Sequence, residues 1–300
     1  MVVGIVSPGA MGSALGARLV AGGARVVVAL DGRSTRSRRL AADAGLEDVG
    51  SPDALAREAS VVLSVVPPGA ALGVATTLAR VADGGTASPL VVDLNAVSPG
   101  KAQRVTSVLA AAGLEAVDGA ISGPPPRRPG TTRIYLSGPR AAEVAALPIE
   151  GVELIVVGDE IGAASAVKMC TASVYKGRVA LLAQAFRTAR THGVVDHVLD
   201  DLGASGLVDP ARTGASVAVA SAKAWRYVAE MEEIAETQAA AGLTPDLFRA
   251  LATVYAELAE RPVAETPEEV RDDLPLDEAL DRLSAAGGGP AAAAGPTRAG

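Results

Sequence analysis

The chain has 300 residues, of which 49% are hydrophobic, enough to bury a sizeable core in one or two domains. Its net charge of −7 argues against nucleic-acid binding, and no apolar run has the length and hydrophobicity of a membrane span. The single cysteine, Cys170, excludes an internal disulfide and is typical of a protein in the reducing cytoplasm.

A strand is predicted over 2–6, followed by a tight turn and a small-residue helix over 12–22. The turn is a variant of the G-x-G-x-x-G pattern and reads Ser7-Pro8-Gly9-Ala10-Met11-Gly12. The N-terminus of a helix behind such a turn binds a dinucleotide pyrophosphate, and the glycines allow close backbone approach. All six residues are therefore candidate cofactor-binding residues. A plain strand-to-helix turn is the alternative.

The second strand, predicted over 25–30, ends in a loop with several arginine and hydroxyl side chains. A dinucleotide-binding fold contacts the adenosine ribose here: an acid selects the 2′-hydroxyl of NAD, and arginine with serine selects the 2′-phosphate of NADP. Arg33 and Ser34 predict NADP, with NADPH preferred over NADH, whereas Asp31 would favour NAD. A solvated basic loop that caps a helix is the other interpretation.

Strands and helices alternate through the first half of the chain. Further strands are predicted over 61–66, 90–94, 115–118, 133–137 and 154–157, and further helices over 37–44, 52–59 and 99–112. This alternation predicts the α/β class, with a mostly parallel sheet in an N-terminal Rossmann domain over 1–157 that binds NADP.

Two of these strands end in residues that are suited to contact a nicotinamide ribose. Val66 and Pro67 follow one strand, and Asn95 follows the next. Ligands of such sheets bind at the carboxyl ends of the strands, so these three residues are candidate cofactor contacts. Alternatively, Pro67 simply ends its strand. Ser98 is expected to cap the helix that begins at Pro99.

A proline-rich loop follows the strand predicted over 115–118. Its Ser122 and Gly123 offer a hydroxyl and backbone N–H groups that suit a carboxylate or phosphate, and Arg127 could add charge. These residues are candidate contacts to a small-molecule substrate. The other interpretation is a stiff connection with surface arginines.

No convincing strand is predicted after residue 157. A long interdomain helix is expected to open an all-helical substrate and dimerisation domain over 158–285, followed by a low-complexity, disordered tail over 286–300. Lys168, Thr171 and Tyr175 share one face of the long helix. A partly desolvated lysine can act as an acid or base, and Tyr175 is a second proton donor. A lysine on an exposed helix face is an equally good interpretation. No metal-ligand spacing is present.

Taken together, these segments resemble the β-hydroxyacid dehydrogenase and 6-phosphogluconate dehydrogenase superfamily through about residue 260. A further motif over 230–235 resembles a little-characterised branch with its own all-helical C-terminal domain. The resemblance implies hydride transfer between nicotinamide and a small carbonyl or hydroxy compound of the hydroxy acid type. It also implies that Lys168 is the catalytic lysine and that Ser122 and Gly123 form the substrate-carboxylate loop.

The chain departs from the superfamily pattern at three positions. Pro124 replaces a glycine of the substrate loop, and Ala172 replaces an asparagine for which Thr171 could substitute. Tyr175 stands where phosphogluconate dehydrogenases have a second acid. An imine reductase or reductive aminase of the same architecture, or a non-catalytic NADPH-binding module, are the alternative functions. Imine reductases usually lack the lysine, so Lys168 favours an oxygen substrate.

The Ala-rich C-terminal helices carry unusually large apolar side chains for this composition. Relatives in the superfamily pair through this domain, which implies a homodimer built from residues beyond about 160. The alternative is that these residues form the core of their own domain: Trp225, Met231, Leu247, Phe248, Leu251, Val254 and Tyr255.

Overall fold

The computed structural model describes residues 1–84 and 88–284, so the tail predicted over 286–300 lies outside the described residues. The strands within these ranges are β1 (Val2–Val6), β2 (Arg25–Val28), β3 (Glu47–Asp48), β4 (Val61–Ser64), β5 (Leu90–Asp93), β6 (Ala116–Ser122), β7 (Arg133–Ser137) and β8 (Glu153–Gly158). The α-helices are α1 (Ala10–Ala21), α2 (Thr35–Asp43), α3 (Pro52–Glu58), α4 (Ala71–Asp83), α5 (Pro99–Ala111), α6 (Ala141–Ala145), α7 (Ala163–His192), α8 (Val195–Ala204), α9 (Pro210–Ala240), α10 (Asp246–Ala259) and α11 (Leu276–Ser284).

The eight strands form one sheet in the order β3-β2-β1-β4-β5-β6-β7-β8. All neighbouring strands are parallel except β6 and β7. The predicted α/β class, with a mostly parallel Rossmann-type sheet followed by helices, is confirmed. Because β2 and β4 flank β1 on opposite sides, the strand order reverses at β1. The carboxyl ends of β1 and β4 therefore border the crevice in which such sheets bind ligands.

Several elements differ from the predictions. Helix α6 was not predicted, and β6 extends to Ser122 instead of ending at residue 118. Helix α4 was not predicted, because it lacks the usual start signals: its N-cap is Ala70, which makes no side-chain capping bond, and its first turn has no acidic residue. The two-residue edge strand β3 was also missed. The long helix begins at Ala163 instead of residue 158, because β8 runs through Gly158 and Gly162 has a φ of 106° that no helix residue adopts.

The chain divides into two compact units that do not coincide with the predicted boundary after residue 157. The first comprises Met1–Val174 with Ala229–Arg249, and the second comprises Tyr175–Val228 with the described residues from Ala250 onward. The beginning of α7 and the end of α9 thus belong to the sheet-containing unit. The assignment of residues 1–157 to cofactor binding, and of residues 158–285 to substrate binding and dimerisation, stays a prediction.

Two apolar clusters form the core of the first unit. One contains Ile5, Leu15, Leu63 and Leu136, and the other contains Val27, Leu55, Val62, Leu78 and Leu109. Alternate strand residues point to opposite faces, so the sheet is covered by helices on both sides. No helix in the described ranges combines the length and apolarity needed to cross a membrane.

Most of the large C-terminal side chains that we singled out are buried within the chain. Met231, Leu251, Val254 and Tyr255 are inaccessible or nearly so. In the second unit, Tyr255 packs edge-on against Tyr227 and donates a 2.7 Å hydrogen bond to the carbonyl of Lys176. Trp225, by contrast, is 63% exposed. The interpretation as internal core therefore holds for these four residues, whereas Trp225 remains available at the surface.

Candidate functional site

The turn after β1 holds a serine in a backbone conformation that favours glycine. Ser7 has a φ of 73°, the only positive φ of a non-glycine residue in the part of the chain that the structure describes. It occupies the first glycine position of the G-x-G-x-x-G pattern. The tight turn is therefore retained with backbone strain of about 1–3 kcal/mol, which is characteristic of ligand-binding sites.

The glycines of this turn leave room for the backbone and for a ligand. A Cβ atom on Gly12 would lie 2.4 Å from the carbonyl oxygen of Ser7, so only glycine fits there. Gly9 is the N-cap of α1, makes no side-chain capping bond, and has open space at its Cβ position. The turn of residues 7–12 thus places the uncapped N-terminus of α1 where it fits a dinucleotide pyrophosphate.

A cavity of about 470 Å³ in the first unit connects this turn with the end of β2. Ser7, Asp31, Gly32, Arg33 and Thr77 are among the residues that line it. The structure therefore brings together the predicted pyrophosphate turn and the predicted ribose-binding loop. Both side chains that would decide between NAD and NADP, Asp31 and Arg33, reach the same cavity.

The neighbouring polar residues of this loop have structural partners. Ser34 is the N-cap of α2, and its hydroxyl accepts a 3.2 Å hydrogen bond from the amide of Ser37. Arg38 donates a 2.5 Å hydrogen bond to the carbonyl of Leu30. Arg33, unlike these two, lines the cavity, which makes it the best-placed arginine of the loop for a phosphate contact.

Asn95 is buried and connects the loops that follow β4 and β5. Asn95 is only 2% exposed, and its side-chain Oδ1 accepts a 2.6 Å hydrogen bond from the amide of Val66. Its Nδ2 donates to Ser64 Oγ at 2.9 Å and also to Asp93 Oδ1. In the structure the Asn95 amide is directed to Val66 and the end of β4, and its predicted direct contact with a ribose stays a prediction. Val66 is partly exposed, and Pro67 is exposed.

Asp93 and Asp118 carry two buried carboxyl groups. The two residues are paired directly with each other on the neighbouring strands β5 and β6. Asp118 accepts hydrogen bonds from Ser137 Oγ, Ser165 Oγ and the amides of Gly162 and Ser165, at 2.6–3.0 Å. Among the described residues, Asp93 Oδ2 has no hydrogen-bond partner. Burial, together with the charge of Asp118, raises the pKa of Asp93 to about 7.

The predicted substrate loop begins at the end of β6. Gly123 has a φ of 118°, and a Cβ atom there would lie 2.4 Å from the carbonyl oxygen of Thr131, so the turn requires glycine. From α1, the Arg18 guanidinium donates to the carbonyls of Pro126 and Arg127 at 2.7 and 2.6 Å. The loop is thereby fixed to the helix whose N-terminus forms the pyrophosphate turn. The side chain of Arg127 is at the surface.

Lys168 meets the start of this loop. Its Nζ donates a 2.8 Å hydrogen bond to the carbonyl of Ile121, the residue immediately before Ser122, and the side chain is partly buried. The structure thus brings three predicted site residues together: Lys168, Ser122 and Gly123. Thr171 directs its hydroxyl to the carbonyls of Val167 and Lys168 on its own helix, at 2.9 and 3.2 Å.

Tyr175 belongs to the second unit and is 68% exposed. Its role as a second acid stays a prediction. Within the described residues, no group of three or more His, Cys, Asp or Glu side chains is placed to hold a metal ion.

Sequence reasoning missed several residues that shape this site. Asp93 and Asp118 were passed over as strand residues, although a carboxylate in an otherwise apolar buried strand is a recognisable signal. Arg18 gave no signal, since its partners are backbone carbonyls more than 100 residues away. Glu233 was part of a noted motif without an assigned role, and it contacts the residue that caps α5.

The NAD-binding domain of 6-phosphogluconate dehydrogenase matches this chain over residues 2–152, half of its length. A domain of unknown function, DUF1932, matches residues 189–258. An uncharacterized 28.5 kDa protein from the 7S RNA 5′ region of Methanothermus fervidus is 28% identical over 177 residues. That alignment covers 59% of this chain and 66% of the relative, so the chain spans about two thirds of that protein.

Solved structures support the same relationship. A conserved protein of unknown function with structural similarity to 3-hydroxyacid dehydrogenases is 29% identical, with 87% of this chain and 97% of the other covered and a TM-score of 0.65. The 3-hydroxyisobutyrate dehydrogenase of Mycobacterium tuberculosis, solved with L-serine, has a TM-score of 0.65 at 20% identity, with 94% and 98% covered. At that identity, the likeness is one of fold.

Proposed function

The chain belongs to the family of the NAD-binding domain of 6-phosphogluconate dehydrogenase, a family of NAD(P)-dependent oxidoreductases, and from this premise we propose that it is an NADP-dependent oxidoreductase. Its substrate is a small carbonyl or hydroxy compound, of the hydroxy acid type. The observation that carries this proposal is the 2.8 Å hydrogen bond from Lys168 Nζ to the carbonyl of Ile121. It holds an ammonium group at the penultimate residue of β6, directly before a loop suited to bind a carboxylate.

Each group at this site has a defined role in the proposed reaction. The bound reduced cofactor supplies a hydride to the carbonyl carbon. Lys168 Nζ donates a proton to the oxygen of that carbonyl, which leaves a hydroxyl group, and it accepts the proton in the reverse direction. Ser122 Oγ and the backbone at Gly123 bind the acidic group of the substrate, with Arg127 adding positive charge. Tyr175 and Thr171 are secondary candidates for contacts to the substrate.

The groups that would hold the cofactor all belong to the first unit. The turn over 7–12 binds the pyrophosphate at the N-terminus of α1, and Arg33 with Ser34 contacts the 2′-phosphate. Val66 and Pro67 pack beside the nicotinamide ribose, and Asn95 holds the Val66 amide. The cavity lining does not by itself select NADP over NAD, because Asp31 lines the cavity together with Arg33.

We expect NADPH to bind about tenfold more tightly than NADH, since one charge-assisted contact to phosphate contributes on the order of 1.5–3 kcal/mol. Replacing Arg33 by alanine should remove most of this preference by weakening NADPH binding and leaving NADH unchanged. Fluorescence titration of both nucleotides measures it, with exposed Arg36→Ala as the matched control. Equal affinities of the wild-type protein for the two nucleotides would assign the ribose to Asp31 and NAD.

The proposal includes assembly as a homodimer through residues beyond about 160. Large apolar side chains are exposed there: Tyr175, Leu181 and Trp225 are each more than half accessible. Light scattering across a range of concentrations should give twice the mass of one chain, and replacing Trp225 by serine should weaken the dimer. A constant single-chain mass would exclude it. A cytoplasmic location is part of the same proposal and fits the free thiol of Cys170.

A substrate screen that follows NADPH absorbance tests the function. Turnover of 2- or 3-oxo acids, or of the matching hydroxy acids with NADP⁺, is the expected result. Turnover of cyclic imines instead would identify an imine reductase, for which the exposed Tyr175 is the candidate proton donor. Tight NADPH binding without turnover of either class would support a non-catalytic binding module.

A further inference from the structure

A short loop connects β5 to α5 and carries Asn95, the buried residue whose side chain accepts a hydrogen bond from the amide of Val66. It spans residues 94–98, and Asn95, Val97 and Ser98 are each at most 2% exposed. The amide of Val97 donates a 3.0 Å hydrogen bond to the carbonyl of Asn95, which closes a tight turn. Since Asn95 and Ser98 are only three residues apart, at most about 11 Å of chain separates them. We therefore expect a displacement of Ser98 to move Asn95 as well.

Ser98 is held by two glutamates from the end of α9, which belongs to the same compact unit. The amide of Ser98 donates a 2.8 Å hydrogen bond to Glu233 Oε2. Its hydroxyl donates to Glu236 Oε2 at 3.0 Å and accepts from the amide of Lys101 at 3.4 Å, as the predicted N-cap. The expectation that Ser98 caps α5 is thus confirmed, and the structure adds its attachment to α9.

Glu233 and Lys101 form an ion pair beside this cap. The Lys101 ammonium contacts Glu233 Oε1, and the two side chains are only 16% and 5% exposed. A pair this buried loses much of its Coulombic attraction to the cost of desolvation, so it adds little to stability compared with apolar residues of the same size. Such a pair does, however, fix geometry, because removing either partner leaves a buried charge. Glu236 and Arg104, by contrast, form an exposed pair at 3.8 Å, which contributes little.

We propose that Glu233, paired with Lys101, is a positioning residue for the nicotinamide half of the cofactor. Glu233 fixes the amide of Ser98, Ser98 fixes the 94–98 loop, and Asn95 in that loop holds the amide of Val66 at 2.6 Å. This chain of contacts runs from α9 to the carboxyl ends of β4 and β5. It does not include the turn over 7–12 or the Arg33 loop, which hold the adenosine half. The inference rests on the proposed function, since it places the nicotinamide at these two strand ends.

The test compares two ligands that share the adenosine half. NADPH carries the nicotinamide, and 2′,5′-ADP lacks it. Calorimetric titration of Glu233→Gln, Glu233→Ala and Lys101→Met should show NADPH binding weakened by about tenfold, the equivalent of one hydrogen bond to a charged group. Glu233→Ala should have the largest effect, because glutamine can still accept from the amide of Ser98. Binding of 2′,5′-ADP should change by less than about twofold.

Glu232→Gln is the matched control, since Glu232 is the adjacent, exposed residue of the same helix. It should change neither affinity. Equal weakening of both ligands by the Glu233 variants would reduce Glu233 to a general structural role, and unchanged NADPH affinity would overturn the proposal directly. Retained 2′,5′-ADP binding shows that each variant is folded. A wild-type protein that binds neither ligand contradicts the proposed function instead, so the two failures are distinguishable.

Discussion

Replacing Lys168 by alanine is expected to lower turnover by about 10²–10⁴-fold, the usual contribution of a positioned general acid or base. The reason is that Lys168 Nζ, held at the carbonyl of Ile121, is the proton donor for the substrate oxygen in the proposed reaction. NADPH affinity should stay within about twofold, because the cofactor cradle over 7–12 and the Arg33 loop do not involve this side chain. Steady-state kinetics together with a nucleotide titration measure both quantities.

Lys168→Arg separates charge from proton transfer. Arginine retains the positive charge but does not release its proton near neutral pH, so this variant should also be strongly impaired. Ser173→Ala, on the same helix, should be close to wild type, since the Ser173 hydroxyl bonds only to the carbonyl of Cys170 among the contacts described. Turnover at the wild-type rate in Lys168→Ala, with the substrate found in the screen, would refute the assignment of this lysine.

Replacing Asp93 by asparagine is expected to make stability less dependent on pH. Burial and the charge of Asp118 raise the pKa of Asp93 in the folded protein to about 7, from an unfolded value of 3.8. Asp93 therefore holds its proton more tightly in the folded protein. The contribution of the protonated carboxyl to the free energy of unfolding is fully present below pH 3.8, the pKa of Asp93 in the unfolded chain. It is lost progressively as the pH rises from 3.8 to about 7, and above that pH the buried carboxylate is ionised in both states.

The difference in unfolding free energy between Asp93→Asn and wild type should thus grow by about 2–3 kcal/mol between pH 5 and pH 7 in favour of the variant, and then level off. Denaturant melts at several pH values measure it, and the shared titration of all other groups cancels in the difference. Asp43→Asn, at an exposed aspartate of α2, is the control and should show no such trend. A difference that is constant with pH would show that Asp93 titrates normally.

Local patterns in the sequence were sufficient for much of this fold. The strand over Val2–Val6 and the turn that follows it were predictable because an apolar run, two glycines and a small-residue helix are adjacent in sequence. Glycine and proline also mark most ends of the C-terminal helices: α8 includes Gly203 but ends at Ala204 before Gly206, α9 begins at Pro210, and α10 begins after Pro245. Helix α4 escaped prediction because it begins at an alanine N-cap with no capping side chain and no acidic first turn.

The site was predictable only in part, for a related reason. Gly12 and Gly123 were identified because glycine in a tight turn is a local requirement, and the contacts at 2.4 Å explain it. Asn95 was placed at the correct strand end, but its orientation depended on Ser64, Asp93 and the amide of Val66, which come from two strands. No pattern within one segment could give that orientation.

By itself, the sequence determined the α/β class, the order of most strands and helices and the identity of the residues at several strand ends, because these follow from local hydrophobic periodicity and turn chemistry. Only the tertiary structure decided that Lys168 meets the carbonyl of Ile121, that Asp93 lies beside Asp118, and that Glu233 fixes Ser98. Each of these pairs joins residues between 25 and 135 positions apart in the chain. Their contacts, burial and charge interactions exist only once the strands have paired and the helices have packed on the sheet.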